Sequence, residues 1–293
     1  MTIAITGATG HLGRLVLDEL RRSRPAGSLV AVVRDAARAQ DLADDGVQVR
    51  VAEYADRPAL VRALAEVRVL LLVSGSEVGQ RVDQHRNVID AAVEASVQHV
   101  VYTSAPRADT SALVLAPEHR ATEELLRASG LTWTILRNNW YTENYLGTLQ
   151  QAAETGEIVA AAGSGRVASA TRADFAAGAA AVLLGSGHEG RVYELGGDTA
   201  WDFDELAEAA SAVVGRPVTY RAVDASTLRT ILTEHAGLDA GTAGFVAQLD
   251  LDIAAGLLAE VTGELSALIG RPTTPLVDGL RAAYSPAVED SPA

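Results

Sequence analysis

Three glycines mark the stretch of this chain with the clearest chemical meaning. In Thr6-Gly7-Ala8-Thr9-Gly10-His11-Leu12-Gly13 they recur every third residue, directly after a short apolar run and directly before an amphipathic one. That order describes a strand, a tight turn and the first turn of a helix. Gly7 permits the turn, Gly10 lets the backbone approach a pyrophosphate, and Gly13 lets helix and strand pack closely. The helix start then faces phosphate oxygens with unpaired N–H groups. The chemistry such a turn supports is dinucleotide binding through Gly7, Ala8, Thr9, Gly10, His11, Leu12 and Gly13. An ordinary glycine-rich turn is the plain alternative.

Arg34 ends the second apolar run, 21 positions after Gly13. An acid there would bind the ribose 2′-hydroxyl of NADH, whereas an Arg suits the 2′-phosphate of NADPH. NADPH is therefore the expected cofactor, with a solvated surface charge as the other reading of Arg34. The adjacent Asp35 fits a cap for the following helix. Ser74, Gly75 and Ser76 follow the fourth apolar run, at the strand end where ligands enter an open α/β sheet. Small residues there let a cofactor pass close to the backbone, and a simple polar turn accounts for them equally. The six histidines show no ligand-like spacing such as HExxH, so no metal is expected.

The elements that must carry these residues alternate regularly. Apolar runs at 3–6, 29–34, 47–51, 69–73, 99–104 and 132–137 read as strands. Amphipathic stretches at 12–22, 36–44, 57–65, 80–95 and 118–128 read as helices. On the fourth helix Val82, Val88, Ile89, Ala92 and Val93 form the apolar face. Strand–helix repeats with apolar strands predict an α/β fold: a Rossmann-type, doubly wound parallel sheet covered on both faces. After Arg137 helices dominate, at 175–184, 203–214, 227–236 and 243–258, with short strands near 167–169 and 192–195. The expected organisation is a dinucleotide-binding domain over 1–137, with a further sheet strand near 191–195, and a smaller, mostly helical substrate-binding subdomain interleaved over 138–293. Residues 285–293, with two Pro and two acids, are expected to fray.

Composition narrows the chemistry further. All 24 basic residues are Arg; the chain has neither Lys nor Cys. Disulfides, thiolate nucleophiles, lysine Schiff bases and a Walker P-loop are excluded. The formal charge of −14 argues against nucleic acid as a partner. It is uneven: residues 151–293 hold 20 acids against 8 Arg, so the near-neutral first half is the better host for a polyanionic ligand. The longest apolar runs are too short to span a membrane, and the N-terminal residues carry no leader-like pattern. A cytoplasmic location is expected, and a homo-oligomer is compatible with the sequence.

The glycine turn, Arg34 and Tyr102-Thr103-Ser104 together resemble the short-chain dehydrogenase/reductase superfamily. Its usual catalytic pair, Tyr-x-x-x-Lys, is absent here. The register set by the 123–131 segment puts Leu115 at the Tyr position and His119 at the Lys position. The chain thus resembles an atypical, NmrA-like member. Ser76-Glu77-Val78-Gly79-Gln80-Arg81, Gln84-His85-Arg86-Asn87, Leu136-Arg137-Asn138 with Trp140-Tyr141, Glu143-Asn144-Tyr145-Leu146 and Ala168 to Asp174 resemble the bacterial short-chain NADPH:quinone oxidoreductases. That resemblance covers essentially the whole chain. It implies flavin-free hydride transfer from NADPH to a quinone. It also implies cofactor contacts at Gly7 to Leu12, Arg34, Ser74 to Ser76, the loop Asn138, Asn139, Trp140, Tyr141, Thr142 and Glu143, and Arg172.

A quinone is a good electrophile and does not need a Tyr–Lys acid, but a donor near its oxygen would stabilise developing charge. The donor candidates are Asn138, Asn139, Tyr141 and Tyr102, with His119 as a proton source. Trp140 and Tyr141 could stack on a flat ring, which makes Asn138, Trp140 and Tyr141 the expected quinone contacts. Core packing explains the two aromatics equally, and a structural role explains His119. Asn87 fits a backbone-satisfying amide, and His85 carries no assigned chemistry. The alternative for the whole chain is a non-catalytic NADP(H)-binding redox sensor of NmrA-like type.

Overall fold

The computed structural model describes residues 1–289, and their side chains through 284. In chain order the elements are β1 (Ile3–Thr6), α1 (His11–Arg21), β2 (Leu29–Val33), α2 (Gln40–Asp44), β3 (Gln48–Val51), α3 (Arg57–Ala63), β4 (Val69–Leu72) and α4 (Arg81–Glu94). Then come β5 (His99–Ser104), α5 (Ala116–Ala128), β6 (Thr132–Asn138), α6 (Leu146–Thr155), β7 (Glu157–Ala160), α7 (Arg172–Leu184) and β8 (Val192–Leu195). The remainder are α8 (Phe203–Val214), β9 (Thr219–Ala222), α9 (Ala225–Glu234), α10 (Ala240–Ala254), α11 (Glu264–Ile269) and α12 (Leu276–Glu289).

The chain divides into two units. The first comprises Met1–Asp109, Leu115–Asn138 and Arg172–Leu195. Its seven strands form one parallel sheet in the order β3-β2-β1-β4-β5-β6-β8. Strands β1, β2 and β4 are buried along their whole length, because helices cover both faces. Leu12, Val16, Leu17 and Leu20 recur at helical spacing and form the buried face of α1. The strand order reverses beside β1, where β2 lies on one side and β4 on the other. In open α/β sheets that reversal opens the crevice for a ligand. The expected Rossmann-type parallel sheet is therefore the observed one.

On α4 the buried face is partly polar. Arg81 and His85 are buried with Val88, Ile89 and Ala92, while the expected Val93 is exposed. The polar pair is drawn inward by the turn before α4, whose backbone it bonds.

The second unit comprises 110–114, 139–171 and the described chain from Gly196. It holds a two-stranded parallel sheet, β7 with β9, that periodicity did not reveal. The strand expected near 167–169 reduces to bridges: Val167 pairs with Trp201, and Ala170 with Tyr141. Tyr145, Trp201, Phe203 and Tyr220 pack as an aromatic cluster. Several acids of this unit serve its backbone. Asp202, Asp224 and Asp239 cap α8, α9 and α10, and buried Asp252 accepts the Val114 N–H at 2.8 Å. Helix α12 runs through Glu289, so residues 285–289 belong to a helix rather than to a frayed end; 290–293 lie outside the described residues.

Buried Asp250 accepts the Ala161 N–H at 2.7 Å, and burial pushes its carboxyl up to about 6. A raised folded-state value means that folding favours the neutral acid. Its contribution to stability therefore falls as pH rises from about 4 through about 6, and levels off above. Asp250→Asn keeps an acceptor and removes the charge. It should stabilise the protein at pH 8 by roughly 2 kcal/mol, with the advantage shrinking by about 1 kcal/mol at pH 5. Denaturant unfolding at the two pH values checks this; a gap independent of pH would refute it.

Candidate functional site

The glycine turn joins β1 to α1 as a closed cradle. Gly7 adopts φ +59°, a left-handed conformation that favours glycine. Gly10 donates its N–H to the Gly7 carbonyl at 2.9 Å. A Cβ on Gly10 would sit 3.1 Å from that carbonyl oxygen, and one on Gly13 would run into it. Gly10 caps α1 without a side-chain hydrogen bond, and the first turn carries no acid. The first helical bond is Arg14 N–H to the Gly10 carbonyl, which leaves the N–H groups of His11, Leu12 and Gly13 without intrahelical partners. The side chains of Ala8 and Leu12 are buried, so the exposed surface at Gly7 and Gly10 is backbone. These residues fit a pyrophosphate: no Cβ obstructs its approach, and no acid opposes its charge.

Thr6 and Tyr54 brace the crevice beneath. The Thr6 hydroxyl accepts the Val73 N–H at 3.1 Å, and the Tyr54 hydroxyl lies 2.6 Å from it and donates to the Val73 carbonyl at 2.7 Å. The ends of β1 and β4 are thus tied across the strand-order reversal. Burial pushes the Tyr54 phenol up, so it stays protonated. Asn87 donates to the Tyr54 carbonyl at 3.0 Å, the backbone role expected of it. Tyr54 lies outside every glycine or aromatic motif, and no sequence signal marked it.

Arg34 follows β2 at the same edge of the sheet. Its side chain is 71% exposed and, among the described residues, pairs with the Glu77 carboxylate at 3.4 Å. Asp35 accepts the Ala37 N–H and caps the short 3-10 helix at 36–39. Ser74, Gly75 and Ser76 leave the end of β4, the first two half-buried and the third exposed. The parallel sheet therefore brings Gly7 to Gly13, Arg34 and Ser74 to Ser76 to one edge of one unit, on β1, β2 and β4.

Tyr102 is placed differently from what donor chemistry needs, because His119 holds its hydroxyl inside the core. Tyr102 is fully buried, and its hydroxyl lies 2.7 Å from Nδ1 of His119, itself 5% exposed. Burial, then Arg81 and His85, push the His119 imidazole down to about 3, and burial pushes the Tyr102 phenol up. The pair is neutral, and the Tyr102 hydroxyl is engaged by the imidazole instead of facing a ligand.

Asn138 ends β6 and is buried. The next residues belong to the second unit. Asn139 donates to the Leu258 carbonyl at 3.2 Å and accepts the Trp140 N–H at 2.7 Å. The Thr142 hydroxyl lies 2.9 Å from that of Ser169, and the Thr142 N–H donates to the Ala170 carbonyl. The Asn139 amide and Thr142 hydroxyl are thereby engaged with their own unit. Trp140, Tyr141 and Glu143 are half-buried. Arg172, also half-buried, opens α7. Among the described residues no cluster of three His, Asp or Glu could hold a metal ion.

A family described as NAD(P)H-binding matches residues 7–185. Quinone oxidoreductase 2 of Escherichia coli (strain K12) is 49% identical over 278 residues, covering 95% of this chain and 97% of that protein. The crystal structure of an Escherichia coli NADPH-dependent quinone oxidoreductase complexed with NADPH superposes with a TM-score of 0.93, at 48% identity over 97% of this chain and all of that one. The Citrobacter sp. triphenylmethane reductase complexed with NADP(H) gives 0.92, at 38% identity over 96% of this chain and all of that one.

Proposed function

Since this chain belongs to the NAD(P)H-binding family, as an NmrA-like short-chain member, we propose that it is an oxidoreductase that passes hydride from NADPH to a quinone without flavin or metal. The observation that carries this reading is the 49% identity to a quinone oxidoreductase along nearly the whole of both chains. The glycine cradle supports it independently, because its bare backbone fits a pyrophosphate.

When bound, NADPH supplies the hydride; the protein's part is to bind, orient and exclude water. The cradle of Gly7 to Gly13 holds the pyrophosphate, Ser74 to Ser76 pass alongside, and Arg34 takes the 2′-phosphate in place of Glu77. Asn138 and Arg172, in the same unit as the cradle, are further contacts, and those at Asn139, Trp140, Tyr141, Thr142 and Glu143 are what the resemblance implies. Trp140 and Tyr141 offer flat faces to the quinone, and the Asn138 amide and Tyr141 hydroxyl are its donors. The closure of Tyr102 on His119 agrees with an acceptor that needs no buried acid. No helix among the described residues is long and apolar enough to cross a membrane. The quinone partner is a small molecule, and the working place is the cytoplasm with its reduced NADPH.

The direct test mixes the protein with NADPH and a simple quinone and follows loss of nicotinamide absorbance. Turnover with NADPH and little with NADH is expected. Tight NADPH binding without turnover across several quinones would instead identify a sensor. Arg34→Ala should weaken NADPH by about 30-fold, the worth of a charge-assisted contact near 2 kcal/mol, and NADH by less than about threefold. Equal weakening of the two cofactors, measured by fluorescence titration, would remove Arg34 from the 2′-phosphate site.

A further inference from the structure

The turn between β4 and α4 is fastened by side chains on three elements, all buried except the half-buried Glu118. On β5, the Thr103 hydroxyl accepts the Ser74 N–H at 2.9 Å. On α4, Nε2 of His85 accepts the Gly75 N–H at 2.9 Å, and Nε of Arg81 donates to the Gly75 carbonyl at 2.8 Å. Both polar groups of one residue's backbone are therefore held by side chains one helical turn apart. On α5, Glu118 accepts from Arg81 at 2.6 Å through one oxygen and from the Gly79 N–H at 2.7 Å through the other. His85 is fully buried and Arg81 is 5% exposed.

The proton on His85 is fixed by this arrangement. Nε2 accepts a hydrogen bond, so the ring proton sits on Nδ1. Nδ1 lies 3.0 Å from the Thr122 hydroxyl, whose own proton goes to the Glu118 carbonyl at 2.9 Å. Burial, followed by the Arg81 charge, pushes the imidazole down to about 3. The edges of Tyr54 and Tyr102 close around the ring, with centroids at 6.1 and 5.4 Å. A neutral imidazole with one acceptor and one donor is demanding to build into a core. A plain helix–strand contact would be served by an apolar residue at position 85.

We propose that His85, Arg81 and Glu118 are positioning residues that hold the 74–79 turn in the shape that receives NADPH, with His85 working as the Nδ1–H tautomer. This rests on the reading of Ser74 to Ser76 as cofactor contacts. Without the clamp the turn samples other shapes, and the cofactor must order it on binding.

The test compares His85→Leu, which removes the acceptor, with His85→Gln, whose Oε1 can occupy the place of Nε2. In His85→Leu, amide exchange across 74–79 in the cofactor-free protein should accelerate at least about tenfold, and the NADPH Kd should rise about tenfold. His85→Gln should restore both to within about threefold of native. In turnover the loss should fall more on KM for NADPH than on kcat. Faster exchange with an unchanged NADPH Kd would mean that the turn is clamped but is not a cofactor contact, which overturns the cofactor reading and the proposal with it. Unchanged exchange and Kd, or equal loss in both variants, would overturn the clamp alone. The native protein gives a check that needs no variant: 15N spectra should show His85 neutral with Nε2 unprotonated at pH 7, and a protonated Nε2 would overturn the proposal.

Discussion

Gly13→Ala should abolish measurable NADPH binding and unfold more easily than the native protein. The added Cβ runs into the carbonyl of Gly7, a backbone atom already bonded to the Gly10 N–H. Neither partner can yield by a rotamer change, so α1 must lift from β1 or the turn must open. Overpacking of this kind costs about 1–3 kcal/mol in stability. The displaced helix start takes its free N–H groups away from the pyrophosphate, a loss of at least about 100-fold in affinity. Gly10→Ala separates the two effects. Its Cβ approaches the same oxygen only to 3.1 Å, on an exposed residue, so stability should change little while the methyl obstructs the phosphate approach. Thermal melts and NADPH titration of both variants decide the matter. A Gly13→Ala protein with native affinity and melting temperature would end the cradle argument.

The second large effect concerns stability alone. Glu123 on α5 is fully buried. One oxygen accepts Nε of Arg137 at 2.9 Å and the Ser104 hydroxyl at 2.7 Å. The other accepts a second Arg137 nitrogen at 2.7 Å and forms an ion pair with Arg127 at 3.1 Å. Ser104 and Arg137 face one another across β5 and β6, so one carboxylate ties two strands to a helix. Glu123→Leu leaves the Arg137 guanidinium buried with only Glu194 and Asp109 beside it. The expected cost is about 3–5 kcal/mol, a fall in Tm on the order of 10 °C. Adding Arg137→Met should recover part of it, because an apolar pair of similar volume tolerates burial that a guanidinium with two unpartnered nitrogens does not. A double variant no more stable than Glu123→Leu would show that the cost lies in lost packing, not in the stranded charge.

Much of this architecture was legible because it follows from apolar spacing. Ile3–Thr6, Val69–Leu72 and the glycine turn between strand and helix are local patterns with one physical solution. Phe203–Val214 was readable to its ends because Asp202 and Glu205 form a capping box before it and Gly215 ends it in a left-handed conformation. Strands β7 and β9 were not readable. Each is four residues long, and the two segments are 58 residues apart in sequence, so neither run states which partner it meets. Arg81 and His85 were read without a structural role for another reason. Periodicity counts apolar residues, yet 81, 85, 88 and 92 share one helical face, and its first two positions are polar. A buried polar pair continuing an apolar stripe is itself a signal, readable once a turn that needs bonding precedes the helix. Motif spacing set the glycines and Arg34 directly after two apolar runs, and they do follow β1 and β2. It could not show that the Tyr102 hydroxyl turns inward to His119 rather than out to a ligand, because burial at a strand end depends on the helix packed over it.

The sheet is completed out of sequence. Strand β6 ends at residue 138, and its outer neighbour β8 arrives only after an excursion through 139–171 and the helix α7. During synthesis the first unit therefore waits with an unpaired, apolar edge until residue 195 has been added. At ribosomal speeds of about 5–20 residues per second, that wait is roughly 3–11 s. Open edges of this kind recruit other chains. Faster or slower translation of this one interval should alter the yield of native protein while leaving the finished molecule unchanged.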